Sequence, residues 1–207
     1  MSHYAITITR QFGSLGRPIA KRLAERLGIE YYDRDIVEQV SRETGLSVHT
    51  ISDEEESATN RFWKMKFPLG VPGTNMVQDH IFEVQRQIIL DLAEKEDCII
   101  VGRCSDYVLR DHEQVIRIYI YADTEQRMKN CVNTLHLEPH TAGKMMKDVD
   151  KARELYHIRY AGYFPNDVEH QDIMINSGFL GVDGTAEALE MLVRKKFEIG
   201  KDPDMTD

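Results

Sequence analysis

Near the start of the chain, apolar and polar residues alternate through Ile6, Thr7, Ile8 and Thr9, then give way to a turn holding Gly13 and Gly16. Beyond it the apolar residues recur at Ile19, Ala20, Leu23 and Leu27. A period of two that changes to a period of about 3.6 predicts a strand, a glycine-containing loop and an amphipathic helix. Further short apolar runs at residues 31–33, 98–101, 115–121 and 173–175 predict strands, of which Cys98-Ile99-Ile100-Val101 is apolar throughout. Runs of that kind suit central parallel strands covered on both faces. Helical spacing fills the gaps, over residues 35–43, 79–94, 124–135 behind a capping Asp123, and 185–197.

The resulting βα alternation predicts an α/β domain with a parallel sheet, helices on both faces and a ligand beyond the carboxyl ends of the strands. Two stretches break the rhythm. Residues 46–75 carry the run Asp53-Glu54-Glu55-Glu56, the tryptophan Trp63 and the breakers Pro68, Gly70, Pro72 and Gly73. Residues 138–167 are rich in charge and histidine and end in "AGYFPND". Both read as long irregular insertions, the kind that serve as lids or binding loops in compact domains. The acidic run itself reads as solvated surface.

Composition narrows the function classes. The chain has 207 residues, a net charge of -9 and hydrophobic residues at 42%, enough for one domain with one core. The acidic balance argues against a general nucleic-acid or membrane-surface binder, so cationic chemistry is expected to be local. No secretory segment or membrane-spanning run is apparent, and a cytoplasmic location is expected. Cys98, Cys104 and Cys131 show no C-x-x-C spacing, which fits reduced thiols rather than a disulfide frame or zinc site.

The glycine loop carries the strongest chemical signal. A loop at a helix N-terminus offers backbone N–H groups and the positive end of the helix dipole to an anion. Candidate phosphate-binding residues are therefore Arg10, Gly13, Ser14, Leu15, Gly16, Arg17 and Pro18. The Walker pattern G-x-x-x-x-G-K-[ST] is absent, and no lysine stands in the loop. Gly13 and Gly16 equally suit a sharp strand-to-helix turn.

Three blocks, "AKRLAERLGIEYYDRDIV", "IIVGRCSDYVL" and "DKARELYHIRYAGYFPND" before "IMINS", together resemble the cytidylate kinase-like family, relatives of P-loop nucleoside monophosphate kinases. The resemblance spans nearly the whole chain and rests on the order and spacing of the blocks. It implies a three-layer P-loop NTPase-like fold around a parallel five-stranded sheet, with an NMP-binding insertion at residues 46–75 and a lid at 138–168. It further implies ATP as phosphoryl donor, a nucleoside monophosphate such as CMP or dCMP as acceptor, and Mg²⁺. The partner is then a small-molecule nucleotide rather than nucleic acid or membrane.

The departures bear on catalysis. An ungapped register puts Gly16 at the position of the P-loop lysine and Arg17 at that of the magnesium-binding hydroxyl. A one-residue shift puts Arg17 on the lysine instead, and both registers are open. The acid that usually precedes the "GR" of Gly102-Arg103 is Val101 here, so Mg²⁺ is expected to be held mainly by phosphates and water. Candidate catalytic residues are Arg17, with Lys151, Arg153 and Arg159 from the lid block. Candidate acceptor-binding residues are Asp33, Arg103 and Asp106, although Asp33 equally suits a helix cap and Asp106 an ion pair with Arg103. His136, His140 and His157 have no metal spacing and read as surface histidines.

Overall fold

The computed structural model describes residues 3–45 and 74–199. The stretch 46–73, most of the expected NMP-binding insertion, lies outside the described residues. Five strands, β1 (Ala5–Arg10), β2 (Glu30–Tyr32), β3 (Cys98–Val101), β4 (Val115–Tyr121) and β5 (Ile173–Asn176), form one sheet in the order β2-β3-β1-β4-β5. All four pairings are parallel. Helices follow the strands: α1 (Gly16–Leu27), α2 (Arg34–Thr44), α3 (Thr74–Lys95), the one-turn α4 (Ser105–Val108), α5 (Thr124–Asn133), α6 (Pro139–Ala161) and α7 (Ser177–Lys196).

The alternation of the strands distributes their side chains to two separate cores. Ile6, Ile8, Ile99, Val101, Ile116, Ile118 and Ile120 pack on Ile19, Ala20 and Leu23 of α1 and on Ala186, Leu189 and Val193 of α7. On the opposite face Ala5, Cys98, Ile100 and Val115 meet Ile36 and Val40 of α2 and Ile81, Ile88, Ile89 and Ala93 of α3. The sheet is thus the middle of three layers, and β3, buried along its whole length, is apolar throughout for that reason.

The central strand β1 has β3 on one side and β4 on the other, which makes its carboxyl end the point where connections leave in opposite directions. Ligand crevices open at such a point. Two sequence expectations differ from the structure here. Residues 138–167 are not an irregular insertion: Pro139–Ala161 is a single helix, α6, capped by Gly162 in the left-handed region (φ 84°). The last helix begins at Ser177 rather than 185, because Asn176 caps it by accepting from the Gly178 N–H, and it kinks at Gly181. Asp123 caps α5 as expected, accepting from the Gln126 N–H at 2.8 Å.

Candidate functional site: an arginine-lined cavity at the end of β1

A partly open cavity of about 550 Å³, counted with its mouth, lies at the carboxyl ends of β1 and β3. Thr9 and Arg10 reach it from β1, Arg17 from α1, Gly102, Arg103 and Cys104 from the turn after β3, and Arg153, Tyr156 and His157 from α6. Four guanidinium groups from four chain segments therefore converge on one space, in a protein whose net charge is -9. Among the described residues no carboxylate lines it. Burial first, and then Arg153, pushes the Arg10 guanidinium down to about 9. Burial and the neighbouring Arg10 likewise push Arg103 down to about 10. Both remain cations at neutral pH, and Asp33 offsets part of their mutual repulsion.

The backbone around the cavity is unusual. Gly102, Arg103 and Cys104 are consecutive left-handed residues, with φ of 77°, 60° and 51°. A non-glycine residue there costs roughly 1–2 kcal/mol, and such strain is typical of functional sites. Leu15 (φ 57°) precedes α1 with no side-chain cap, so the first-turn amides of Gly16 and Arg17 lack the usual capping oxygen. Pro18, which has no N–H, is exposed at the third helical position and does not line the cavity.

The outer side of the glycine loop is strapped down. The Phe12 N–H donates to Asp150 Oδ1 at 2.7 Å, and the Phe12 carbonyl accepts from Arg127 Nε at 2.7 Å. Arg127 also pairs with Asp150, and Asn130 Nδ2 donates to the Gly13 carbonyl at 2.8 Å. A β-carbon on Gly13 would meet Cys131 Sγ at 2.9 Å, so this glycine serves packing against α5 as well as its left-handed φ of 79°. Ser14 is buried and donates to the Gln11 carbonyl at 2.9 Å; its own carbonyl accepts from Ser177 Oγ at 2.7 Å. The strap residues Arg127, Asn130 and Asp150 were invisible as a group in the sequence, since only the fold brings α5 and α6 onto the loop.

The structure sorts the remaining candidates. Arg17 is engaged by Asp33, with Nε 2.6 Å from Oδ2 and Nη2 3.3 Å from Oδ1. Asp33 stands at the N-cap position of α2 but makes no side-chain cap bond; its carboxylate faces Arg17 and, at 3.9 Å, Arg10. Arg153 lines the cavity and donates to the Arg10 carbonyl at 3.2 Å. Lys151 and Arg159 do not line it: Lys151 pairs with Glu154 at 2.6 Å, and Arg159 with Asp79 on α3 at 2.7 Å. Asp106 is not at the cavity either. It is fully buried and takes bonds from His157 Nε2 (2.9 Å), the Tyr163 hydroxyl (3.2 Å) and Gln171 Nε2 (3.3 Å). The Asp106 pairing expected with Arg103 is therefore made with His157, which is buried and not a surface histidine. Burial pushes the Cys104 thiol well above its ordinary pKa, which disfavours the reactive thiolate.

The cytidylate kinase-like family model matches residues 5–178. The chain belongs to the cytidylate kinase-like family. Among solved structures, an uncharacterized protein from Eubacterium ventriosum is similar with 27% identity and a TM-score of 0.70, covering 92% of this chain and 98% of that one. Shikimate kinases from Bacteroides thetaiotaomicron (12% identity, TM-score 0.53, 95% and 99% covered) and Acinetobacter baumannii (14%, 0.51, 94% and 94%) share the fold. No protein of curated function matches the chain in sequence. Family and fold thus agree on a P-loop kinase-like α/β domain, and among the described residues no helix is long and apolar enough to cross a membrane.

Proposed function

We propose that this protein is a phosphotransferase that moves the γ-phosphoryl group of ATP to a small acceptor, with a nucleoside monophosphate, CMP or dCMP, as the first candidate. The observation that supports it best is the convergence of Arg10, Arg17, Arg103 and Arg153 on one cavity at the carboxyl end of β1. Phosphoryl transfer asks a protein for positioning and for positive charge around the equatorial oxygens. An acceptor phosphate is already a nucleophile, so the reaction does not require a general base. In this reading the α1 amides and Arg10 receive the donor phosphates, Arg103 receives the acceptor phosphate, and Arg153, which lines the cavity from α6, meets the group in transit.

Mg²⁺ fits the residues poorly. Among the described residues no carboxylate lines the cavity, Asp33 is committed to Arg17 and Arg10, and Ser14 Oγ donates to the Gln11 carbonyl. Among the described residues no group of three or more metal-ligating side chains exists. The described residues offer no ligand set for the ion, which would be left to phosphates and water.

That same lack of a loop lysine and of a carboxylate favours a second reading, a nucleotide-binding regulatory module without turnover. A coupled ADP-release assay across CMP, dCMP, UMP, AMP, GMP and small alcohols, with and without Mg²⁺, separates the two. Turnover with a monophosphate supports the nucleotide kinase, and turnover with an alcohol alone moves the acceptor class. No turnover in a protein that binds ATP by calorimetry establishes the module.

A further inference from the structure

Two glycines, Gly16 at the start of α1 and Gly102 on the cavity wall, are shaped around one side chain. A β-carbon on Gly16 would lie 2.8 Å from Arg10 Cβ and 2.9 Å from Arg10 Cγ, and one on Gly102 would overlap Arg10 Nη1. Gly16 carries no left-handed φ that would itself demand glycine. The stem of Arg10 therefore crosses the first residue of α1, and its guanidinium ends against the turn after β3, inside the cavity. Counted from residue 10, the Walker pattern puts its first glycine on Arg10, its second on Leu15, its lysine on Gly16 and its hydroxyl on Arg17. The position that normally bears the cation is bare, and the position that is normally bare bears a cation. Arg17, the cation in the first turn of α1, is held by Asp33 at 2.6 Å and 3.3 Å.

We infer that this is a phosphate loop with its charge transposed: Arg10, entering from the end of β1 across Gly16, occupies the space a P-loop lysine would fill and is the cation that binds the donor polyphosphate. Gly16 lacks a side chain so that this arginine has room, and Gly102 approaches closely for the same reason. Arg17 instead orients Asp33 and through it steadies Arg10. This rests on the reading of the cavity as a phosphate site.

The test is a charge exchange read by calorimetry with metal-free ATP and with inorganic tripolyphosphate, on variants shown to be folded by circular dichroism. Arg10→Gly is expected to weaken both ligands at least tenfold, and Gly16→Lys alone to do the same because its stem collides with Arg10. The double variant Arg10→Gly/Gly16→Lys recovers binding to within about threefold of the unmodified protein, and Arg17→Ala changes it less than Arg10→Gly does. Arg10→Gly binding as tightly as the unmodified protein overturns the inference while leaving the phosphate site intact. A folded double variant that binds no better than Arg10→Gly also overturns it. Absence of any polyphosphate binding by the unmodified protein overturns the phosphate-site reading itself, and the inference with it.

Discussion

His157 of α6 and Asp106 of α4 form a buried charge pair, with His157 Nε2 2.9 Å from Oδ2 and 3.1 Å from Oδ1 of a fully buried carboxylate. The other ring nitrogen, Nδ1, lies 3.0 Å from the Tyr163 carbonyl, which can only accept. Both ring nitrogens thus face acceptors, so the ring carries both protons. Burial alone lowers the His157 pKa, but the Asp106 hydrogen bond and charge, with the Tyr163 carbonyl, outweigh it and leave it raised. The pair latches α6 and the turn after it to the core.

The latch makes stability depend on pH. A histidine raised above its ordinary value of 6.5 contributes its full stabilisation below about 6.5 and loses it as pH climbs through the folded value. Urea midpoints of the unmodified protein are therefore expected to fall between pH 6 and pH 9, and those of His157→Gln to fall less. Asp106→Ala, which strands a buried charge, is expected to cost about 3–5 kcal/mol. An equal pH slope in both proteins removes the latch.

Arg103 separates backbone strain from side-chain function. With φ at 60° it suits glycine better than any L residue. Arg103→Gly should be about 1 kcal/mol more stable than Arg103→Ala in urea unfolding, while both lose phosphate binding to the same extent. Equal stability of the two variants contradicts the left-handed conformation.

Arg153 distinguishes turnover from binding. If the protein turns over, Arg153→Ala is expected to lower kcat on the order of a hundredfold while ATP affinity changes little, since its charge is needed when phosphoryl transfer develops. Steady-state kinetics beside calorimetry read the two effects. Unchanged kcat reduces Arg153 to a prop under the Arg10 carbonyl, which it contacts at 3.2 Å.

Asp150 holds the loop rather than the ligand. Its removal frees the Phe12 N–H and leaves the buried Arg127 without its carboxylate. Asp150→Ala is expected to destabilise the protein by about 2 kcal/mol, the scale of a charged hydrogen bond lost from a partly exposed site. Amide hydrogen exchange should then speed up at residues 12–15 before it does in α1. Uniform exchange across both segments argues against a strap.

The strand periods were legible because they report burial, and burial on both faces of a sheet leaves an apolar run that chemistry nearby cannot disguise. Cys98–Val101 and Val115–Tyr121 are strands with the bounds their sequences indicate, and the resemblance of three blocks led to the right family. Residues 138–167 misled because α6 is polar along much of its surface: it packs through Ala142, Met146, Val149, Ala152 and His157 and spends its charges on α3, the glycine loop and Asp106. Position in sequence made the cations candidates alike. Only tertiary structure decided that Arg159 faces Asp79, that Arg17 faces Asp33, and that Arg10 lies across Gly16. The physical reason is that local pattern records which residues leave water, whereas the direction of a long charged side chain is set by whichever partner the fold brings within reach.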